Sequence, residues 1–210
     1  MTQTAPTVPT QALPAIQDGG LVRAAIGLAT LTLAVFGFCY SLAGVGLGQL
    51  LFPEQARGSL IERDGVVLGS ALLAQPFVGE GYFQPRPSAA GYNPMALSGS
   101  NQARSHPELR ARIEQARAAI ARREGVEPAQ VPGDLVTQSG SGIDPHISEQ
   151  GAAIQVRRVA RARGLERAEV QRLVAAHTEA PQLGLLGAPR VNVLALNRAL
   201  DARRSAPPRP

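Results

Sequence analysis

A long uncharged segment near the N-terminus limits the architectures open to this chain. No charged residue occurs from Ala24 to Pro53, and a helix needs only about 20 apolar residues to cross the hydrocarbon core of a bilayer. The segment therefore predicts one transmembrane helix over residues 22–47. It also contains glycines, which allow close approach of a second helix in lipid and so indicate a membrane partner: Gly27, Gly37, Gly44, Gly46 and Gly48.

A cleaved signal peptide is the alternative interpretation, with the small residues at 43–46 as the cleavage site. The apolar core of a signal peptide is only about 7–15 residues long and follows a basic segment. Here the apolar run is longer and follows mostly polar residues with little positive charge. The pattern favours a retained anchor. It divides the chain into a polar tail (1–21), a transmembrane helix with its junction (22–52), a soluble domain (53–201) and a disordered tail (202–210).

The composition excludes several kinds of chemistry. All 21 basic residues of the 210-residue chain are arginine, so no lysine can form a Schiff base or bind phosphate in a P-loop. The net charge of +5 does not indicate nucleic-acid binding, because glutamates stand between the arginines and few aromatic residues can stack on bases. The single Cys39 and the scattered His106, His146 and His177 predict neither a disulfide framework nor a metal site.

A hairpin and a loop are expected directly after the span. Asp64-Gly65 separates two strand-like runs, 59–63 and 66–70, and is a strong signal for a two-residue hairpin turn. Residues 79–101 are rich in glycine, proline, serine and asparagine. They predict a loop that aromatic side chains hold down.

Helices dominate the remainder of the predicted domain. They are expected from Pro107 to Gly125, over 148–163 and over 167–177, with a strand at 191–193 and a short helix after it. The first helix has a charged face that is predicted to be solvated: Arg110, Arg112, Glu114, Arg117 and Glu124. The sequence thus predicts an α+β fold, with a single N-terminal transmembrane helix followed by one soluble domain with a small β-sheet and several helices.

The stretch QSGSGIDPHIS (138–148) could perform chemistry in two ways. A phosphate-binding loop would lead from a strand at 135–137 into a helix at Ser148, but the lack of lysine excludes a Walker A site, and Asp144 repels phosphate. A serine hydrolase would use Ser141 as nucleophile and His146 as base. The stretch, however, lacks the first glycine of the G-x-S-x-G pattern, because Ser139 occupies that position.

A third interpretation of the same stretch is purely structural. Gly140 and Gly142 allow positive φ, Asp144-Pro145 favours a turn, and the Ser148 hydroxyl can cap the next helix. This interpretation accounts for more of the residues with fewer assumptions. His146 is then expected to be a packed or hydrogen-bonded imidazole.

Several stretches, taken in order, resemble the KdpC family, the C subunit of the potassium-transporting Kdp ATPase. They are the N-terminal span, GSLI (58–61), GS (69–70), YFQPRPSAAGYN (82–93), SGSN (98–101), QSGSGIDPHIS (138–148), RVARARG (158–164), HTE (177–179) and PRVNVLALNRALD (189–201). Together they extend from the span to Asp201. Between Asn93 and Pro107 the chain departs from the family pattern, with one glycine missing and a different turn.

The resemblance implies a non-catalytic accessory subunit of an ATP-driven, high-affinity potassium importer in the bacterial plasma (inner) membrane. Its implied partners are a channel-like potassium-binding subunit, a P-type ATPase subunit and a small membrane subunit. The implied role is to assemble or stabilise the complex and to act as a catalytic chaperone that raises the ATP affinity of the P-type ATPase subunit. The residues alone leave two alternatives, a membrane-anchored envelope hydrolase and a free binding module.

The same resemblance implies no cofactor of the protein's own, but it does imply an ATP contact. Carried over residue by residue, this contact concerns Gln138, Ser139, Gly140, Ser141, Gly142 and Asp144. The family topology places the N-terminus in the cytoplasm and the domain outside, where ATP is scarce. That placement would separate the loop from nucleotide on a cytoplasmic ATPase domain, so the two expectations conflict unless the complex rearranges.

Overall fold

The N-terminal part of the chain is one long apolar helix. The computed structural model describes residues 18–204 and divides into two units between Ala56 and Arg57. The first unit contains α1 (Asp18–Thr32), a π-helical segment (Leu33–Cys39), α2 (Tyr40–Leu51) and the single turn α3 (Pro53–Ala56). By length and composition, Gly20–Leu51 can cross a membrane, and none of it is buried against the described residues. This confirms the expected apolar helix and extends it to Leu51.

A tight hairpin opens the second unit. Strands β1 (Leu60–Arg63) and β2 (Val66–Ser70) pair antiparallel. Both turn residues have positive φ, 54° at Asp64 and 76° at Gly65, as in the type I′ turn whose twist suits a hairpin. The hydroxyl of Ser70 donates to the carbonyl of Gly58 at 2.7 Å and so closes the base of the hairpin. The hairpin prediction is confirmed.

The rest of the second unit combines six helices with a three-stranded sheet in the described residues. The helices are α4 (Pro107–Glu124), α5 (Gly133–Val136), α6 (Glu149–Ala153), α7 (Val156–Arg163), α8 (Arg167–Ala176) and α9 (Val193–Arg204). The strands β3 (His146–Ser148), β4 (Thr178–Glu179) and β5 (Arg190–Asn192) form an antiparallel sheet in the order β3-β5-β4. The architecture is α+β, as the sequence predicts.

The helix boundaries follow local signals closely. Pro107 occupies the first turn of α4, and Gly125 ends it in the left-handed conformation with φ 65°, which glycine adopts without steric cost. Helix α8 agrees with the predicted 167–177 to within one residue. Helix α9 continues to Arg204, so part of the expected C-terminal tail is helical. Residues 205–210 of that tail and 1–17 of the N-terminal one lie outside the described part.

Two expected elements take a different form. The predicted strand at 135–137 is wrong, because Leu135 and Val136 belong to α5 and are buried there. The predicted helix over 148–163 is two helices, α6 and α7, separated at Ile154 and Gln155. Gln155 is fully buried, and its side chain points inward to bond another part of the chain. The contact is with Gln84, 71 residues away in the chain, at the point where the two helices separate.

The core lies between the helices and the inner face of the small sheet. The most deeply buried apolar residues, each no more than 2% exposed, include Phe83, Leu135, Ile147, Val159, Val170, Val191, Val193, Leu196 and Leu200. Phe77 and the α4 residues Ile113, Ala116 and Ile120 pack against this cluster. Phe77 also stacks on Tyr82, with ring centroids 5.6 Å apart. Aromatic side chains thus hold down the segment 79–101, as expected.

A segment without regular structure crosses this core, and side chains take the place of its strand partners. We call residues 80–84 the strap. The amide of Asn197 accepts from Phe83 N–H at 2.8 Å and donates to Phe83 C=O at 2.9 Å. The amide of Gln155 does the same for Gln84, at 2.8 and 3.2 Å. These pairs satisfy backbone groups whose burial would otherwise be costly.

A buried ion pair completes the support of the strap. Arg158 donates to the strap carbonyls of Glu80 and Tyr82, at 2.5 and 2.9 Å, and to Gln155. Its Nε lies 3.0 Å from Oε2 of Glu124, and the two side chains are only 3% and 0% exposed. Placing Glu124 on a solvated face was therefore wrong. The Glu124 side chain faces inward because Arg158, on α7, supplies the partner charge.

Replacing Glu124 by Gln tests this support. The change leaves the Arg158 charge buried without its carboxylate, and breaking one partner of a buried pair typically costs about 3–5 kcal/mol. We expect the free energy of unfolding of the full chain in detergent, measured by denaturant titration, to fall by about 3 kcal/mol. Glu114→Gln is the matched control, because Glu114 pairs with Arg117 on the surface of the same helix. It should change stability by about 0.5 kcal/mol or less, and equal losses in both variants would contradict the assignment.

Candidate functional site

The QSGSGIDPHIS loop (138–148) connects α5 to β3 and is fixed at its C-terminal end. Asp134 of α5 accepts from the N–H of Ser148 at 2.7 Å and from its hydroxyl at 3.0 Å. The Ser148 hydroxyl in turn accepts from Gly151 N–H at 2.9 Å and so caps α6. The helix cap expected at Ser148 is confirmed, and Asp134 orients it.

Ser139 organises the interior of the loop. Its side chain is buried, and its hydroxyl accepts from Gly142 N–H at 2.7 Å and from Asp144 N–H at 3.5 Å. Its own N–H donates to the carbonyl of Pro87 at 3.2 Å. One serine therefore closes the turn and joins it to a distant segment.

The two glycines of the loop have different roles. Gly142 is buried and has φ of 77°. A methyl group added there would lie 2.8 Å from Cβ of Ala90 and 3.0 Å from the carbonyl oxygen of Ser98. Gly140 is exposed, is not among the residues with positive φ, and would meet no atom within 4 Å. The expected positive φ is thus found at Gly142 and not at Gly140.

A second loop, residues 86–99, packs against the first one. The hydroxyl of Ser88 donates to Gly142 C=O at 2.5 Å and accepts from the N–H of Tyr92 at 2.9 Å. The hydroxyl of Tyr92 donates to Arg86 C=O at 2.9 Å, and burial raises the pKa of this phenol. Sequence reasoning missed Arg86 and Ser88 as parts of the site, although both stand within YFQPRPSAAGYN.

Two ion pairs, with the imidazole of His146 between them, run from the loop to the edge of the sheet. Arg86 lies 2.9 Å from Asp144, whose other oxygen lies 3.2 Å from Nδ1 of His146. On its other side, Nε2 of His146 lies 3.6 Å from Glu179, which pairs with Arg190 at 2.9 Å. His146 is a hydrogen-bonded imidazole, as expected. The row is balanced in sign and borders a shallow cavity of about 470 Å³.

The environment of Asp144 favours its charged form. Burial alone would raise the pKa of this carboxyl, but hydrogen bonds from His146 and the nearby Arg86 outweigh burial and lower the pKa to about 2. A carboxyl whose pKa is depressed in the folded state stabilises the fold above its unfolded pKa of about 4. That contribution is lost as the pH falls from about 4 towards 2.

The contacts of the described residues provide neither a Ser141–His146 pair nor a cluster of metal ligands. The hydroxyl of Ser141 accepts from Ile143 N–H at 3.3 Å, while the His146 ring contacts Asp144 and Glu179. Ser141 and His146 are therefore not paired as nucleophile and base. Within residues 18–204, no group of three or more histidine, cysteine, aspartate or glutamate side chains could hold a metal ion.

The loop also differs from a phosphate cradle in its hydrogen bonding. The N–H groups of Ser139, Gly142, Ile143, Asp144 and His146 all donate to atoms of the chain itself. The element before the loop is helical, so the strand-to-helix geometry of such cradles is missing as well. Gly140 and Ser141 are exposed at the tip of the loop. Through Ser139, Gly142 and Asp144, the hydrogen bonds and the ion pair fix this loop against residues 86–99.

Replacing Gly142 by Ala should loosen this pair of loops. The positive φ and the contact with Ala90 together should lower the free energy of unfolding by about 2 kcal/mol. The measurement is denaturant unfolding of the full chain in detergent. Gly140→Ala, two residues away, is the control and should stay within about 0.5 kcal/mol of the parent. An unchanged midpoint for Gly142→Ala would show that the loops can separate without loss.

Comparison with known proteins gives a consistent family. A family model described as KdpC, K+-transporting ATPase, c chain, matches residues 22–202. A protein of Xanthomonas campestris pv. campestris (strain B100), named potassium-transporting ATPase KdpC subunit, is 59% identical over 186 residues, 89% of each chain. Proteins with the same name from Sorangium cellulosum and Rhodospirillum rubrum are each 52% identical, covering 87% and 83% of this chain and 98% and 91% of their own. The chain therefore belongs to the KdpC family.

Proposed function

We propose that the chain is an accessory subunit of a potassium-transporting ATPase complex, without hydrolytic activity of its own. The observation that carries this proposal is the family match over residues 22–202, which includes both the apolar helix and the folded unit after it. An accessory role needs a membrane anchor and a stable surface for partners. The long exposed helix and the rigid loop pair supply these two features.

The bonding of the loop supports a structural role more than a catalytic one. Ser139 and Asp144 are both committed to contacts that fix the fold. Ser148 is likewise committed, because its hydroxyl caps α6. The Ser141 hydroxyl is exposed, and its contact among the described residues is with the N–H of Ile143 and not with a base. These contacts favour the accessory function over the membrane-anchored hydrolase.

The helix supports assembly within the membrane. Its glycines are open, because a methyl group added at Gly27, Gly37, Gly44, Gly46 or Gly48 would meet no atom within 4 Å. Small residues on a lipid-facing helix allow another helix to approach closely. We infer that this helix packs against membrane helices of the channel-like, P-type ATPase or small membrane subunits, and so helps to assemble or stabilise the complex.

The regulatory part of the proposal concerns ATP. As a catalytic chaperone, the subunit would raise the ATP affinity of the P-type ATPase subunit. Direct ATP contact by Gln138, Ser139, Gly140, Ser141, Gly142 and Asp144 stays a prediction. Because Gly140 and Ser141 are the exposed members of this set, they would be the first to reach a nucleotide.

Co-purification tests the accessory function. With the full chain tagged and expressed together with the other subunits of the transporter, we expect a potassium-stimulated ATPase to be retained on the affinity resin in detergent. Cells that depend on this transporter should stop growing at micromolar potassium when the chain is deleted. Recovery of the chain alone, together with normal growth of the deletion strain, would contradict the proposal. A tagged single-pass protein of unrelated sequence controls for nonspecific retention.

Thiol labelling tests the proposed orientation in the inner membrane, with the N-terminus in the cytoplasm and the domain outside. In a Cys39→Ser background, Ala103→Cys places a thiol at an exposed loop position, and Thr4→Cys places one before the span. An impermeant maleimide should label the first variant in intact spheroplasts and the second only after permeabilisation. The reverse pattern would place the loop in the cytoplasm, where ATP contact becomes feasible.

A further inference from the structure

Positive charge is concentrated on one face of the folded unit. Two cavities of about 140 and 620 Å³ share Arg157 and Arg161 in their walls. We call their combined lining the arginine surface, and its charged residues are Arg122, Arg123, Arg157, Arg158, Arg161, Arg167, Glu124 and Glu166. Six arginines against two glutamates leave a charge of +4, close to the +5 of the whole chain.

Some of these charges have partners within the chain, and others do not. Arg158 and Arg123 both contact Glu124, and Arg157 donates to the carbonyls of Glu124 and Gly125 at the end of α4. Arg161 lies 3.5 Å from Glu80 in an exposed ion pair. Arg122 and Arg167 make no side-chain hydrogen bond or ion pair with the described residues 18–204. The surface therefore presents guanidinium groups that make no hydrogen bond or ion pair within the described part of the chain.

This arrangement opposes the stability of the isolated subunit. Arg157 and Arg161 stand four residues apart on α7, where like charges repel each other, and of the two only Arg161 has a carboxylate beside it, that of Glu80. Arg167 is the first residue of α8, next to the positive end of the helix dipole. An external negative charge would relieve both effects, so the pattern indicates a binding surface.

We propose that the arginine surface binds an acidic polypeptide segment of another subunit of the complex. The inference rests on the proposed accessory function. Arginine forks pair with carboxylates through two parallel hydrogen bonds, and the concave cavities offer room for side chains that enter between them. Complementary charge of this kind accelerates association and fixes the register of an interface.

The composition of the surface argues against a lipid headgroup layer as the occupant. Proteins that lie on a bilayer normally insert large apolar side chains beside their basic ones. Among the described residues, no exposed large apolar side chain occurs between residues 98 and 182, the range that contains α4, α7 and α8. A charged and concave surface without such side chains fits a protein segment better.

Charge reversal tests the proposal in the complete complex. Arg122→Glu combined with Arg167→Glu reverses two charges that have no partner in the described fold. Arg122 lies in the last turn of α4 and Arg167 in the first turn of α8, so the helix-dipole effects of the two changes oppose each other, and thermal unfolding of the full chain should change little. At low ionic strength, we expect retention of the partner subunits by this variant to fall about tenfold, and rising salt should weaken the parent interaction. Arg172→Glu is the matched control. It lies five residues from Arg167, about 140° around α8, and donates only to the carbonyl of Ala168.

Thiol protection gives a second, independent measurement. In the Cys39→Ser background, maleimide should label Arg122→Cys at least about tenfold more slowly in the assembled complex than in the free full chain. Arg172→Cys should react equally in both. Equal reactivity of Arg122→Cys in the two states, with unchanged retention of the reversed variant, would overturn the inference while leaving the accessory function intact.

Two further outcomes are decisive. If the parent chain retains no partner subunit at any salt concentration, the accessory function fails, and the inference that rests on it fails too. If charge reversal matters only after anionic phosphatidylglycerol is added to the detergent, and not after phosphatidylcholine, the arginines bind lipid and the acidic-segment proposal is wrong.

Discussion

The folded unit depends on one buried network in which Arg158 is neutralised by Glu124 and joined to Gln155. With Asn197, this network binds the backbone of the strap, which has no neighbouring strand to satisfy it. A buried backbone group without a partner costs as much as a lost hydrogen bond. The network therefore allows an irregular segment to cross the core, and helices α4, α7 and α9 are joined through it.

The strap in turn positions the loop pair. It leads directly into residues 86–99, where Ser88 and Arg86 bond Gly142 and Asp144. The stretches that carry the family resemblance also contact one another elsewhere: Arg163 bonds Asp201, and Asn197 bonds Phe83. Much of the motif sequence is thus explained by packing between motifs. The QSGSGIDPHIS stretch is one of these motifs, and it connects α5 to β3 while hydrogen bonds hold it in place.

Charge is distributed unevenly over this scaffold. Along the row from Arg86 to Arg190, each of the two arginines pairs with one carboxylate, so the row stabilises the loop and its arginine charges are balanced. The arginine surface on α4, α7 and α8 has the opposite character, because only three of its six arginines, Arg123, Arg158 and Arg161, pair with a carboxylate of the described residues. On one face of the folded unit, charges are thus balanced by contacts within the chain. On the arginine surface, an acidic partner would supply the missing negative charge.

The sequence alone determined what depends on neighbouring residues. The uncharged run produced the long helix, Asp64-Gly65 the hairpin turn, Pro107 and Gly125 the limits of α4, and Ser148 the cap of α6. Tertiary structure decided the inward direction of Glu124, the break at Gln155 and the helical form of residues 133–136. Their partners lie far away along the chain, 34 residues for Glu124 and Arg158, 71 for Gln155 and Gln84. Local propensity cannot encode such pairs, because the energy that fixes each side chain exists only after both segments are buried together.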